Sequence, residues 1–322
     1  MLIDRFGRII DYLRISVTGD CSLNCLYCRP VESAQDDTCG PELTLDEIAL
    51  VARVAADQGI KHIRLTGGEP LLRADLPALV RELSRISGLS DLALTTNGQW
   101  LARRAGELAA AGLRRVNVSL DSLDSGRYRL LTGGGELAQV WAGIREAERG
   151  GLSPVKLNVV LVRGYNDHEV LDFARLARDQ GRHVRFIELL PIGPAAARAQ
   201  ELLYPASEVV HQLAVYALGP QAHAGPGPAR TWRLGRGTVG IISSLTAPPC
   251  PTCNRLRLTC AGRLRPCLTS DEEIDLRPAL HGSAPVQAIA EALQAAAALK
   301  PEYGPHLNAA APPPTAMSQV GG

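Results

Sequence analysis

The stretch Leu13-Arg14-Ile15-Ser16-Val17-Thr18-Gly19-Asp20-Cys21-Ser22-Leu23-Asn24-Cys25-Leu26-Tyr27-Cys28 starts as an alternating β-rich run and ends in three cysteines spaced Cys21-x3-Cys25-x2-Cys28. Period-two alternation puts Arg14, Ser16 and Thr18 on one face of the run and Leu13, Ile15 and Val17 on the other. A cubane [4Fe–4S] cluster needs a ligand on each of four irons, so three thiolates leave one iron open to a small molecule. A structural zinc would close its tetrahedron with a fourth Cys or His. None lies close by, because Cys39 is separated by the loop-like stretch Pro30–Gly40. The spacing therefore favours a cluster.

Outward from this run, the first two thirds of the chain alternate β-rich and amphipathic helical segments. Strands are expected at Leu13–Thr18, His62–Thr66, Leu92–Thr96, Val116–Leu120, Val155–Val162 and Val184–Leu190. Helices are expected at Thr44–Asp57, Leu76–Arg85, Leu101–Ala110, Val140–Arg149 and His168–Gln180, with Thr44 and Glu47 forming a capping box. Such βα repetition implies parallel strands with right-handed crossovers. Six units predict an α/β fold, a partial (β/α)6 TIM-like barrel.

In βα barrels chemistry gathers at the C-terminal ends of the strands. There this chain places the Cys triplet, Gly67-Gly68-Glu69-Pro70, Thr95-Thr96-Asn97-Gly98, and Ser119 with Asp121. Any one of these could be an ordinary turn, but four polar strand ends in register point to a site. Arg14, Arg64, Lys156 and Asn158 fall within strands, and a cation inside a barrel needs a carboxylate or a bound anion.

The last third changes character. A helix is expected at Tyr204–Ala214, a linker at Gly219–Pro228, and hairpins at Thr231–Leu234 with Val239–Ser243 and at Arg255–Thr259 with Leu264–Leu268. This divides the chain into a core at 1–218 and a smaller α+β extension at 219–322. A second group, Cys250-x2-Cys253 and then Cys267, is again three cysteines, beside Arg255 and Arg257 on one face of a hairpin. Cys260 lies between these ligands, so zinc remains open here, and so does the choice of Cys260 or Cys267 as third ligand. Val286–Leu299 reads as a helix. The tail from Pro312 to Gly321 and Gly322 reads as disordered by composition, although a terminal double glycine could also thread a narrow site.

The chain has 322 residues, 46% of them hydrophobic, enough for one large and one small unit. Charge at Met1-Leu2-Ile3-Asp4-Arg5 and the lack of a long apolar run lead us to expect a cytoplasmic protein, with no membrane partner. Eight cysteines then read as metal ligands rather than disulfides. A net charge of +1 gives no basic surface for nucleic acid. No GxxxxGK[ST] loop is present; Leu131-Thr132-Gly133-Gly134-Gly135-Glu136 lacks the lysine and reads as a flexible turn.

The run Cys21 to Cys28 resembles the cluster motif of radical S-adenosylmethionine (SAM) enzymes, and Gly67-Gly68-Glu69-Pro70 resembles their SAM-contacting loop. Cys250-Pro251-Thr252-Cys253-Asn254-Arg255-Leu256-Arg257-Leu258-Thr259, Cys267 and the terminal Gly321-Gly322 are similar to the GTP-cyclising family of molybdenum cofactor biosynthesis over nearly the whole chain.

That resemblance implies two [4Fe–4S] clusters, one on Cys21, Cys25 and Cys28 that binds SAM, the other on Cys250, Cys253 and Cys267 that faces guanine. It places Tyr27, Gly68, Ser119 and Leu190 against SAM, and Arg14, Arg64, Thr95, Lys156, Arg255, Leu256 and Arg257 against GTP, with Gly321 and Gly322 entering the active site. It implies a 5′-deoxyadenosyl radical that removes the ribose 3′ hydrogen, a GTP 3′,8-cyclisation to a cyclic dihydroguanosine triphosphate, and Arg14 as an electrostatic catalytic residue. Flavodoxin or ferredoxin as electron donor, cyclic pyranopterin monophosphate synthase as the next enzyme and a homodimer belong to the same expectation. Arg29 and Leu190 stand where the family usually has Met; Leu190 keeps the apolar contact without the polarizable sulfur. Two rivals are a radical SAM enzyme acting on a peptide or tRNA and a non-catalytic zinc protein.

Overall fold

The computed structural model describes residues 1–28, 41–219 and 227–305. Arg29, Cys39, most of the expected linker and the tail with Gly321 and Gly322 lie outside the described residues. Six parallel strands form the centre: β1 (Tyr12–Ser16), β2 (His62–Thr66), β3 (Asp91–Thr96), β4 (Arg115–Ser119), β5 (Val155–Leu161) and β6 (His183–Glu188). They match the six expected runs to within a residue or two and carry the partial-barrel fold. Crossover helices are α1 (Leu45–Asp57), α2 (Leu76–Ser84), α3 (Leu101–Ala110), α4 (Ser125–Thr132), α5 (Leu137–Arg149) and α6 (Val170–Gln180).

The later strands β7 (Arg230–Leu234), β8 (Gly237–Ile242), β9 (Arg255–Leu258), β10 (Arg263–Arg265) and β11 (Ile274–Asp275) extend the same sheet at both edges. Its order is β11-β10-β9-β1-β2-β3-β4-β5-β6-β8-β7. β8 pairs parallel with β6 and β9 parallel with β1, so the first cysteine group's strand and the second group's hairpin are neighbours.

Alternation divides the sheet chemically. Leu13, Ile15, Ile63, Leu65, Leu94, Val116, Val118, Leu157 and Val159 are buried in the hydrophobic layer under the helices. The opposite face carries Tyr12, Arg14, Arg64, Thr95, Asn117, Ser119, Asn158 and Arg185 around a cavity. α1 shows how local sequence fixes a crossover. Glu47 N–H donates to Thr44 Oγ1 at 3.3 Å and Thr44 N–H to Glu47 Oε2 at 2.7 Å, the expected capping box, a device of about 1 kcal/mol.

α4 was not expected from the sequence. Asp124 caps its start by accepting from Arg127 N–H at 2.8 Å, and Gly133 ends it at φ 65°, the left-handed region that favours glycine. What reads as a flexible Leu131 to Glu136 turn is therefore a helix terminus with its cap. Among the described residues, no helix is long and apolar enough to cross a membrane.

Candidate active site

The larger cavity, of about 280 Å³, opens at the C-terminal ends of the central strands, and Cys21, Cys25 and Cys28 all line it. Their loop is held from two sides. Asn24 and Leu26 N–H donate to the carbonyls of Thr132 and Leu131 at the end of α4, at 3.1 and 2.9 Å. On the other side, Gly68 N–H donates to Thr18 O at 2.9 Å and Glu69 N–H to Asp20 O at 2.6 Å. A Cβ on Gly67 would sit 2.4 Å from Thr18 O, and one on Gly68 2.1 Å from Asp20 O, so this close approach requires glycine at both.

Two buried carboxyls knit the strand ends together. Glu69 accepts from Thr96 Oγ1 at 2.7 Å, Asn97 N–H at 2.7 Å and Leu71 N–H at 3.0 Å; burial pushes its pKa up to about 7 against these bonds. Asp121 accepts from Tyr27 Oη at 2.5 Å and Val160 N–H at 2.8 Å, and burial raises it to about 6. Tyr27, in the middle of the cysteine motif, is thereby fixed to the end of β4.

The cavity's other wall is cationic. Register pairs Arg257 with Arg14 and Arg14 with Arg64, three arginines at one level on β9, β1 and β2. Burial, then Arg257 and Arg64, hold Arg14 well below the usual arginine range. Burial and Arg255 lower Arg257 to about 10, and burial with Arg64 and Arg115 lowers Arg185 to about 10. Arg64 Nη1 also donates to Thr95 Oγ1 at 3.3 Å. Buried cations gathered in this way are complementary to a bound polyanion.

Cys250, Cys253 and Cys267 line a smaller cavity of about 110 Å³, together with Lys300. Leu190, Ile242, Ser244, Arg255, Arg257 and Leu268 line both cavities, so the two thiol groups share one wall. Arg8 Nη1 donates to Cys250 O at 2.6 Å. Cys260 lines neither cavity; it is 1% exposed and engaged in a disulfide, which corrects the expectation that every cysteine is a metal ligand and leaves Cys267 as the thiol beside Cys250 and Cys253.

None of the six lining cysteines is in a disulfide, and their surroundings fit clusters. Burial, then Cys28, Asp121 and Cys21, push the Cys25 thiol well up, so an anionic triplet here needs a positive metal centre. Burial also pushes Cys253 up, but Arg255 and Lys300 outweigh it and bring the thiol to about 6. Among the described residues, no three Cys, His, Asp or Glu side chains converge on a single metal ion; in a cluster each thiolate takes a different iron. Asn117 Oδ1 and Asn158 Oδ1 are buried acceptors with no partner among the described residues, and both residues line the larger cavity, as a bound donor-bearing ligand requires.

The Radical SAM superfamily profile matches residues 15–177, and the Molybdenum Cofactor Synthesis C profile matches residues 182–305. The chain is 50% identical to the GTP 3′,8-cyclase of Moorella thermoacetica, with 99% of each chain covered. The chain belongs to the GTP 3′,8-cyclase family of radical SAM enzymes. It is 48% identical to the GTP 3′,8-cyclase of Pelotomaculum thermopropionicum, again over 99% of each. Among solved structures, Streptococcus suis SuiB matches with a TM-score of 0.61 at 14% identity, over 89% of this chain and 67% of that one, a likeness of fold.

Of the residues expected from the sequence, Arg14, Tyr27, Arg64, Gly68, Thr95, Ser119, Leu190, Arg255 and Arg257 line the larger cavity with the first cysteines. Lys156 is not among its lining residues. It lies beside Asn117 and His183 in the sheet register, with its pKa lowered to about 7 by burial and by Arg185, Arg115 and Arg64. Leu256 is fully buried in the hydrophobic layer and lines neither cavity. Arg185 and Asn117 line the cavity and were missed, although Arg185 alternates with Val184 and Phe186 as Arg14 does with Leu13 and Ile15.

Proposed function

We propose that this protein converts GTP to (8S)-3′,8-cyclo-7,8-dihydroguanosine 5′-triphosphate, with the residues lining its two adjoining cavities in the following roles. One observation carries the reading: two three-thiol groups open onto cavities that share a wall containing Arg255 and Arg257, beside Arg14 and Arg64. Cys21, Cys25 and Cys28 would hold one [4Fe–4S] cluster, and Cys250, Cys253 and Cys267 a second. Bound at the first triplet, a reduced cluster and SAM supply a carbon-centred radical able to take a hydrogen atom from a ribose carbon.

The protein's own part is to orient, neutralise and seal. Tyr27, fixed by Asp121, Gly68, Ser119 and Leu190 border the SAM position. Arg14, Arg64, Thr95, Arg255 and Arg257, with the Leu256 backbone and Lys156, would meet GTP, whose triphosphate supplies the counter-charge that these cations need. Conversion requires ribose C3′ to lose a hydrogen atom and bond to C8, with one electron and one proton added. Arg14 stabilises the negative charge that develops, and remains protonated. Gly321 and Gly322 would enter the active site. The electron comes from a low-potential carrier of the flavodoxin or ferredoxin type, and the product passes to cyclic pyranopterin monophosphate synthase in the cytoplasm.

The test is anaerobic incubation with SAM, a reductant and GTP carrying deuterium at ribose C3′. Deuterium in the 5′-deoxyadenosine formed, with a new nucleotide isomeric with GTP and separable from it, is expected. Unlabelled 5′-deoxyadenosine with GTP unchanged would refute the substrate.

A further inference from the structure

We propose that Lys300 is the positioning residue of the second cluster: its ammonium fixes the spacing of the Cys253 and Cys267 loops and raises the cluster's reduction potential. The proposal rests on the reading of Cys250, Cys253 and Cys267 as cluster ligands.

Lys300 follows the helix Pro285–Ala298, whose Ile289, Leu293, Ala296 and Ala297 are buried in the core. Its N–H donates to Ala297 O at 3.2 Å, so the backbone is set by the helix end. The residue is 2% exposed and lines the smaller cavity with the three thiols. Nζ donates to Arg255 O at 2.7 Å and to Pro266 O at 2.8 Å. Arg255 is two residues after Cys253, and Pro266 directly precedes Cys267. One ammonium thus ties together the two chain segments that deliver two of the three thiols.

Charge gives the second half of the argument. Among the described residues no carboxylate forms an ion pair with Lys300, and the anionic groups it faces are Cys253 and Cys267. A buried ammonium needs a counter-charge and satisfied donors. Two carbonyls supply the acceptors, and the thiolates supply the charge. A [4Fe–4S] core on three thiolates becomes more negative by one charge when reduced, so a fixed cation beside it favours the reduced form. Other cations stand nearby, Arg255 above all, and Lys300 is the one whose ammonium is seen to donate to both ligand-bearing segments.

The experiment uses the full-length chain with Cys21, Cys25 and Cys28 all replaced by Ala, so that only the second cluster is read. Iron per chain and midpoint potential, followed by electron paramagnetic resonance in a redox titration, are compared for Lys300, Lys300→Met and Lys300→Arg. The expected result is a shift to more negative potential in Lys300→Met, with or without reduced iron, and recovery towards the parent in Lys300→Arg. A fully loaded Lys300→Met with unchanged potential, or equal loss of iron from both variants, overturns the proposal. Absence of iron from the Lys300 parent itself would instead overturn the ligand reading on which it rests.

Discussion

Arg14 and Arg257 are register partners on two neighbouring parallel strands, β1 and β9, although they come from opposite ends of the chain. Arg257 is buried and Arg14 half-buried, Arg257 lowers the affinity of Arg14 for its proton, and both line the cavity that the first three cysteines share. Truncating Arg14 to Ala removes the cation placed among two others. It should leave SAM cleavage within a few-fold of the parent and lower cyclised product by about 100-fold or more, the scale of losing one electrostatic donor. Separate quantification of 5′-deoxyadenosine and nucleotide product checks this. Undiminished product would remove Arg14 from the mechanism.

Gly68 admits no side chain, because its Cβ would meet Asp20 O at 2.1 Å. Gly68→Ala should cost about 2–4 kcal/mol and lower the iron content of the first site, since the clash pushes directly on the segment leading to Cys21. Gly106, within α3 and with open space around it, is the control. Gly106→Ala should gain about 0.5–1 kcal/mol and keep its iron. Thermal denaturation and iron analysis of the two variants read both effects; a Gly68→Ala protein as stable as the parent would contradict the packing described.

Asp121 accepts hydrogen bonds from Tyr27 and Val160, one on each oxygen. Asp121→Ala frees the Tyr27 ring and leaves a buried donor unpaired, a penalty of about 1–3 kcal/mol. SAM affinity, measured by equilibrium binding to the anaerobic protein, should fall at least several-fold. Unchanged affinity would mean that the orientation of Tyr27 does not matter to the ligand.

Lys156 is held down to about 7 by burial and by Arg185, Arg115 and Arg64, below the usual lysine range. Below that pH it is charged and ready for an anion; above it, binding a triphosphate must first recruit a proton. GTP affinity should therefore weaken as pH rises from about 7, by up to about 10-fold per unit, the limit for one linked proton. Lys156→Met should bind more weakly at low pH and lose this part of the dependence. A pH-independent dissociation constant in the parent between 6.5 and 8.5 would show that Lys156 is not coupled to the ligand.

The sequence made the six central strands legible because each pairs an apolar face with a helix layer, and the same alternation exposed Arg14 and Arg64 as interior cations. It did not disclose that Arg257 stands next to Arg14, since pairing of β9 with β1 depends on the whole intervening chain closing around the sheet. α4 is hard to read in the sequence because Gly133, Gly134 and Gly135 have the signature of a turn, whereas Gly133 caps the helix that precedes it. Lys300 was invisible for another reason: nothing local marks a lysine after a helix as the bridge between two distant carbonyls. The Tyr27–Asp121 bond is a similar case, each residue being readable as part of its own loop but not as the other's partner.

The most direct test of two open clusters across one cavity is electron paramagnetic resonance of the reduced protein with one site at a time removed. With Cys21, Cys25 and Cys28 replaced by Ala, GTP should perturb the remaining spectrum and SAM should not. With Cys250, Cys253 and Cys267 replaced, SAM should perturb it and GTP should not, and the parent should carry about eight irons per chain. Spectra indifferent to both ligands, or a parent holding zinc in place of iron, would contradict the account.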